Sequence, residues 1–428
     1  MSKTKEVSSK ARDITVAFKT IGCKLNQYET EAMKTILRQH GCMVVPFDTH
    51  ADFYIVNTCT VTSRADYKSR LALRKPKRIN PDATVIATGC YAQLEPETIG
   101  SIEGVDMVLP NDQKANIARH ILGDDIPKLS ELPPIQSFLD RKRAFIRIEN
   151  GCDYSCTYCR VRVARGKAVS IPAPRIINEI KGLIDNGYLE IVLTGVNIGL
   201  YHDDAVSNLV GLIKEIMKID GLYRLRISSI EPTEIRDELI DLMANETRFA
   251  NHLHIPMQSG SDRILKLMGR RYSSSDYEAL IMRISEKIPY IGLGGDVMVG
   301  FPGETDNDFA KTVKLVEKLP FTYLHIFTYS PRKDTPAFAM KDDVPSQVKK
   351  ERYEVLRTIR NNKIDIFLNS LIGREETIIP ERIVNGVVEG LSGNYARARV
   401  SCINNDISEP LRIIVIGRDK DILIAKKC

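Results

Sequence analysis

The sequence of 428 residues contains no run of eighteen or more apolar residues, so no segment is a candidate transmembrane helix. No stretch has the h-region of a signal peptide. Glycine motifs for nucleotide phosphates are missing as well: Gly292, Gly294 and Gly295 do not make G-x-G-x-x-G, and there is no Walker A sequence. A large charge of either sign is absent, and the net charge of +6 with a pI near 8.7 permits a nucleic-acid partner without requiring one. What remains is an ordinary globular composition, 43% hydrophobic and 27% charged, in a chain long enough for two or three domains. The expected compartment is the cytoplasm, where nine cysteines stay reduced and metal binding or catalysis outranks disulfide formation. The sequon Asn245-Glu246-Thr247 carries no meaning there.

Three of those cysteines fall within Glu149-Asn150-Gly151-Cys152-Asp153-Tyr154-Ser155-Cys156-Thr157-Tyr158-Cys159-Arg160. A C-x₃-C-x₂-C triplet offers thiolates to three irons of a cubane cluster and leaves the fourth iron open to an exogenous molecule; a structural site would close its shell. Zinc is the plainer alternative, but it usually takes C-x₂-C pairs and two further ligands, which no nearby Cys or His supplies.

Residues 13–128 alternate short apolar strands with amphipathic helices. Asp13–Lys19, Ala51–Asn57 and Thr84–Thr88 are strand candidates; Gln27–His40 has helical spacing and stops at Gly41. That alternation predicts an α/β domain around a parallel sheet. Cys23, Cys59 and Cys90 each lie just beyond the carboxyl end of one of these strands. Such ends share the crevice where open α/β sheets bind ligands, so the fold is expected to gather three scattered thiols into a second cluster site, although buried Cys also packs as a small hydrophobe. Residues 1–12 read as a disordered tail and 129–143, with Pro133 and Pro134, as a linker.

From 144 to 370 the alternation resumes, with strand candidates at 144–148, 190–194, 224–229, 251–256, 293–299 and 323–328, then a charged helix at 345–370. Six strand–helix units predict a partial (β/α)6 barrel, with the cysteine triplet after its first strand, on the face where barrel chemistry belongs. In 371–428 the runs Ile378–Val384, Ala396–Val400 and Leu411–Ile416 predict a small antiparallel β-barrel, a shape that either binds RNA or only packs on the catalytic domain. A further basic stretch, 64–78, carries Arg64, Lys68, Arg70, Arg74, Lys75, Lys77 and Arg78 against the single acid Asp66.

The triplet resembles that of the radical S-adenosylmethionine (SAM) enzymes, and from about residue 14 to 426 the chain resembles the radical-SAM methylthiotransferases. The resemblance rests on Gly22-Cys23-Lys24-Leu25-Asn26-Gln27-Tyr28-Glu29, Val56-Asn57-Thr58-Cys59-Thr60-Val61-Thr62 and Thr88-Gly89-Cys90-Tyr91-Ala92-Gln93. These look like the branch acting on N6-threonylcarbamoyladenosine at tRNA position 37. The isopentenyladenosine branch has a Met-Asn-rich first motif, and the ribosomal-protein branch differs more widely. One stretch departs: where members continue the third cysteine with Ile-Ile-Pro-Tyr-Ala-Arg-Gly, this chain has Arg160-Val161-Arg162-Val163-Ala164-Arg165-Gly166.

The resemblance implies two [4Fe-4S] clusters, on Cys152, Cys156 and Cys159 and on Cys23, Cys59 and Cys90, together with SAM and a TRAM-like terminal barrel. It places SAM near Tyr158, near Thr194, Gly195 and Asn197, near Ser228, Ser229 and Glu231, near Gln258, and near Val299 and Gly300 on the strand against the adenine. It implies that the first cluster reduces SAM to methionine and a 5′-deoxyadenosyl radical, that the second cluster supplies or relays sulfur, and that another SAM methylates it. No side chain abstracts a hydrogen atom from adenine C2, so a cofactor has to. The expected partners are a tRNA anticodon loop and an electron donor such as a flavodoxin or ferredoxin, with no membrane and a monomeric state. Phosphate contacts are expected from 64–78, Arg160 and Arg162, and from a strip of Tyr395, Arg397 and Arg399 unless that strip is a solvated face. The rivals are the same chemistry on isopentenyladenosine-37 tRNA or a ribosomal protein, a non-catalytic iron–sulfur RNA-binding sensor, and a zinc protein with His50 as fourth ligand.

Overall fold

The computed structural model describes residues 14–138, 142–401 and 408–428. The tail read at 1–12 and residues 139–141 of the expected linker lie outside the described residues. The chain forms two compact units. The first comprises the residues up to 138 with Asn150–Asp153 and Arg160–Lys167, and the second holds the rest.

In the first unit β1 (Thr15–Thr20), β2 (Met43–Val45), β3 (Phe53–Thr58), β4 (Thr84–Gly89) and β5 (Met107–Val108) pair in the order β2-β1-β3-β4-β5, every pair parallel. The central strands β3 and β4 are buried along nearly their whole length, as strands covered on both faces must be. Val56, Val85 and Ala87 pack with Leu73, Tyr91 and Ile99 from the intervening helices. The edge strands β2 and β5, three and two residues long, are wholly apolar but too short to have been read from sequence. Leu132, Ile135 and Phe138, spaced three apart in the stretch expected to be a linker, are buried. Apolar side chains thus hold that stretch down where its prolines suggested a free connection.

In the second unit β6 (Arg143–Arg147), β7 (Glu190–Thr194), β8 (Arg224–Ile227), β9 (His252–His254), β10 (Gly292–Val299) and β11 (Tyr323–Thr328) follow the expected beat. They form two parallel three-stranded sheets, β8-β7-β6 and β9-β10-β11. A parallel bridge between Leu225 and Phe249 links them at β8, so the six strands run side by side. Among the described residues β6 and β11 pair with no further strand, and the barrel stays open there. Two helices after these strands start on capping boxes, Ser273 with Asp276 and Thr305 with Asp308, which satisfy the first free backbone N–H groups. Alternation gives the sheet two faces. Ile146, Ile191, Leu193, Leu225, Leu253 and Val297 belong to the buried outer one. The inner face is polar and carries Arg143, Glu190, Arg224, Arg226, His252, His254 and Asp296.

The terminal barrel is closed by β12 (Glu375–Val384), β13 (Val387–Ser392), β14 (Arg397–Ser401), β15 (Leu411–Asp419) and β16 (Ile422–Lys427), in the order β12-β13-β14-β16-β15. The expectation of an all-antiparallel barrel fails at β14 and β16, which run parallel. A closed ring of five strands cannot alternate throughout, so one pair has to. Its core is Ile378, Val388, Ala398, Val400, Ile413, Val415 and Leu423.

This barrel is docked on the inner face of the open one. Arg226 donates to the carbonyls of Gly393 and Ser392, both at 2.9 Å, and Arg224 to those of Leu391 at 3.2 Å and Thr377 at 2.9 Å. Glu190, fully buried, accepts from Arg143 Nε at 2.8 Å and Arg226 Nε at 2.9 Å, while Arg143 also pairs with Glu381.

Candidate functional site

Cys23, Cys59 and Cys90 sit where β1, β3 and β4 end. Cys23 caps the helix Lys24–Gln39 in extended conformation, Cys59 follows Thr58, and Cys90 opens the helix Cys90–Leu94. Two glycines allow the approach. At Gly22 (φ +113°) a Cβ would stand 2.8 Å from the Cys59 Cβ. At Gly89 (φ +94°) it would meet the Thr58 carbonyl at 2.3 Å. Gly89→Ala is therefore expected to displace Cys90 and to cost on the order of 2–3 kcal/mol, from left-handed strain and a backbone clash together. A thermal melt and the iron bound per chain check this; a variant that melts and loads iron like wild type contradicts it.

Cys59 and Cys90 are buried and Cys23 is exposed. Cys59 is 5% exposed, and burial pushes its thiol up to about 12. Such a thiol needs a metal to become a thiolate. The three soft donors on one crevice fit an iron–sulfur cluster, and cations stand ready for the charge. Arg165 donates to Glu29 Oε1 at 2.7 Å, Asn150 Oδ1 at 2.9 Å and Asn26 Oδ1 at 2.6 Å, within electrostatic reach of Cys23 and Cys90. Lys114 donates to Glu29 Oε2 at 2.5 Å. Asn26 ties the turn together by donating to the carbonyls of Ile21 at 2.8 Å and Thr58 at 3.1 Å. Arg165, Lys114 and Glu29 were not singled out from sequence, since contacts between distant segments leave no local signal.

The second thiol set is the triplet. In the first unit the Cys152 N–H donates to the Gly166 carbonyl at 3.1 Å. In the second unit the Cys159 N–H donates to the Cys156 carbonyl at 3.1 Å, closing a tight turn. Thr157 anchors that turn: its N–H bonds Met268 O at 3.0 Å, its hydroxyl bonds Leu267 O at 2.8 Å, and its carbonyl accepts from Ala337 N–H at 2.8 Å. All three cysteines are half-buried. Arg270, missed in the sequence, donates to Cys156 Sγ at 3.3 Å and to both oxygens of Glu231. Burial raises the Glu231 carboxyl and Arg270 partly offsets this.

The residues expected to touch SAM line up along the carboxyl ends of the open barrel. Thr194 and Ser228 are buried on the inner face at the ends of β7 and β8. Gly195 has no room for a Cβ, which would lie 2.6 Å from Glu149 Oε2; that oxygen accepts from the N–H groups of Val196 at 2.8 Å and Asn197 at 2.9 Å. The Asn197 side chain, 3% exposed, leaves both its amide nitrogen and its oxygen without a hydrogen-bond partner. Such an orphaned pair at a strand end fits a polar ligand, as the amino acid part of SAM would be. Tyr158 packs edge-on to Phe301, 6.4 Å between centroids. Gln258, with φ +62°, extends the pairing to β10 through its backbone, accepting from the Met298 N–H at 2.9 Å. The side chain of Val299 is fully buried on the outer face, and it is Met298 that faces inward. Gly300 lies under Lys349, where a Cβ would come within 2.3 Å of Lys349 Cγ.

Two of the expected phosphate contacts are corrected. Arg160 is buried, donating to Glu95 Oε1 at 2.8 Å and Thr60 Oγ1 at 3.3 Å, whereas Arg162 is exposed. Tyr395 does not join a strip with Arg397 and Arg399. It stacks on His252 at 4.3 Å, because its hairpin is docked in the open barrel, and Arg399 pairs with Glu389. In the first unit the helix Ser63–Arg74 exposes Arg64, Tyr67, Lys68, Leu71 and Arg74.

Family models match "Uncharacterized protein family UPF0004" over residues 15–110 and the radical SAM superfamily over residues 146–316. The chain is 41% identical over 90% of both chains to threonylcarbamoyladenosine tRNA methylthiotransferase MtaB of Thermotoga maritima. It is 38% identical to the Bacillus subtilis protein of that name, over 90% of this chain and 89% of the other. It is 36% identical to tRNA-2-methylthio-N(6)-dimethylallyladenosine synthase of Endomicrobium trichonymphae, over 91% of this chain and 95% of the other. Among solved structures, the radical SAM methyltransferase TsrM of Kitasatospora setae shares the fold, with TM-score 0.57 and 17% identity over 76% of this chain and 75% of that one. With three thiols on a parallel-sheet crevice, three more in a C-x₃-C-x₂-C triplet and relatives that span nearly its whole length, the chain belongs to the radical-SAM tRNA methylthiotransferase family.

Proposed function

We propose that this protein converts N6-threonylcarbamoyladenosine at tRNA position 37 into its 2-methylthio derivative. The observation that carries the reading is the pairing of two separate three-thiol sites in a chain 41% identical to a threonylcarbamoyladenosine tRNA methylthiotransferase. When bound, the two clusters and SAM supply the electron, the hydrogen-abstracting radical, the sulfur and the methyl group. The chain's own residues hold and orient these. Cys23, Cys59 and Cys90 hold the sulfur-supplying cluster, with Arg165 and Lys114 offsetting thiolate charge. Cys152, Cys156 and Cys159 hold the reducing one, with Arg270 fixing Cys156 by a hydrogen bond. Asn197, Ser228 and the Glu231–Arg270 pair orient SAM at the strand ends.

The functional domains in this reading are 13–128, 144–370 and 371–428, acting as a cytoplasmic monomer with a flavodoxin- or ferredoxin-like donor. No helix of the described residues is long and apolar enough to cross a membrane. The tRNA anticodon loop is bound through Arg64, Lys68 and Arg74 on the exposed helix, with Arg162 and Arg397 as further phosphate contacts. Affinity for tRNA is expected to fall steeply, by roughly tenfold or more between 50 and 200 mM salt if only a few phosphates are neutralised. A filter-binding salt titration measures it, and a flat response contradicts the phosphate contacts.

The test is reconstitution. Anaerobically loaded protein, SAM and a low-potential reductant are mixed with tRNA bearing either threonylcarbamoyladenosine or isopentenyladenosine. Methylthiolation of the first alone is expected. Turnover of the second alone would place the protein with the dimethylallyladenosine relatives, and turnover of neither would overturn the assignment.

A further inference from the structure

The inner face of the open barrel holds a file of aromatic rings that neither cluster site uses. It begins at the docked hairpin, where Tyr395 stacks on His252 at 4.3 Å. It continues from His252 to Tyr323 at 5.9 Å, from Tyr323 to His254 at 5.7 Å, from His254 to His325 at 5.1 Å, and ends at Phe327, 6.4 Å from His325. The register explains it: Gly294 pairs with Tyr323, Asp296 with His325 and Met298 with Phe327, so alternate residues of three strands share one face. Gly294 is part of the device, since a Cβ there would lie 2.0 Å from the Tyr323 ring.

The file is fixed by hydrogen bonds. Asp296 Oδ1 accepts from His254 Nε2 at 3.0 Å and from His325 Nδ1 at 3.2 Å, while the Tyr323 hydroxyl lies 2.8 Å from His252 Nε2 and 3.1 Å from His254 Nδ1. A carboxylate only accepts, so both histidines donate to it, and their rings are held in place. His252 and His254 are buried and Tyr323 and Tyr395 half-buried, yet at the carboxyl end the His325 side chain is 56% exposed and Phe327 is 36% exposed. These two stand on β11, the open edge of the barrel, in the row beside Met298. Rings held rigid and left open to solvent are a stacking surface awaiting a flat partner.

We propose that His325 and Phe327 form the wall on which the acceptor purine base stacks once it has left the anticodon loop, with Asp296 and His254 as positioning residues for His325. This rests on the tRNA reading above. An unstacked loop base is what aromatic side chains recognise in single-stranded RNA, and one base–ring stack carries roughly a 5- to 150-fold change in affinity.

The test uses the full-length protein and an anticodon stem-loop with 2-aminopurine at the acceptor position. Wild type is expected to change the 2-aminopurine fluorescence on binding. Phe327→Ala should lose that change and weaken stem-loop binding by roughly 5- to 150-fold, and Phe327→Tyr should restore both. His325→Ala should weaken binding in the same direction. If Phe327→Ala and His325→Ala bind with wild-type affinity and fluorescence while wild type still methylthiolates tRNA, the stacking wall is overturned and the function stands. If wild type binds no stem-loop and modifies no tRNA, both fail.

Discussion

Replacing Cys156 by alanine is expected to abolish SAM cleavage, whereas replacing Cys59 leaves cleavage and removes the methylthiolated product. The separation follows from where the thiols sit. Cys156 lies on the Thr157-anchored turn at the open barrel, hydrogen-bonded by Arg270, and three thiolates are the fewest that hold a site-differentiated cubane. Cys59 lies in the crevice of the parallel sheet, pressed against Gly22 and screened from water. Each variant is expected to bind roughly half the iron of wild type. In anaerobic reaction with dithionite, SAM and tRNA, Cys156→Ala should yield 5′-deoxyadenosine only at background. Cys59→Ala should yield 5′-deoxyadenosine without 2-methylthio nucleoside. Methylthiolated product from Cys59→Ala would contradict the role assigned to the second thiol set, and SAM cleavage by Cys156→Ala would contradict the first.

Glu190→Gln is expected to be among the most destabilising single changes in the second unit. Glu190 is the buried anion shared by Arg143, Arg224 and Arg226; Arg224 and Arg226 also hold carbonyls of the terminal barrel, and Arg143 pairs with its Glu381. Removing its charge leaves the buried Arg224 and Arg226 guanidiniums without their paired carboxylate, which costs on the order of 3–5 kcal/mol. At roughly 2–4 °C per kcal/mol, Tm falls by about 6–20 °C. Burial alone would raise the Glu190 carboxyl, but the Arg143 and Arg226 guanidiniums outweigh that and hold it well below the usual carboxylate range. A depressed carboxyl contributes stability that is fully present above the unfolded pKa of about 4.3 and is lost as pH falls towards the folded value. The Tm gap between wild type and variant should therefore stay constant from pH 5 to 8 and narrow below about 4.3. A gap under 1–2 °C at pH 7 would show that the network is not what fixes the terminal barrel.

The six cysteines, the parallel sheet and the six-strand beat were legible because each writes a local pattern: a short spacing, a strand-end position, an apolar run. Even Cys23, Cys59 and Cys90 could be grouped, since parallel strands must bring their carboxyl ends together. What could not be read depends on pairing across long separations. Nothing near Arg270 in the sequence marks it as a neighbour of Cys156, and Glu29 gives no sign that Arg165 and Lys114 converge on it. Arg160 reads as a surface cation until Glu95 is seen to bury it. The same holds for Tyr395, whose aromatic–basic surroundings suggest an RNA strip although its ring is spent on His252. Val299 and Met298 are adjacent in a wholly apolar-looking run, and only the register against β11 decides which faces inward. The parallel pair in the terminal barrel needed the count of five strands, and β13 and β16 were not among the runs read from sequence.

Nucleoside mass spectrometry of tRNA from cells with and without this gene tests the central claim most directly. The account predicts that deletion removes 2-methylthio-N6-threonylcarbamoyladenosine and lets unthiolated N6-threonylcarbamoyladenosine accumulate, with the wild-type gene restoring the product and the Cys59→Ala gene failing to. A tRNA nucleoside profile unchanged by deletion would contradict it.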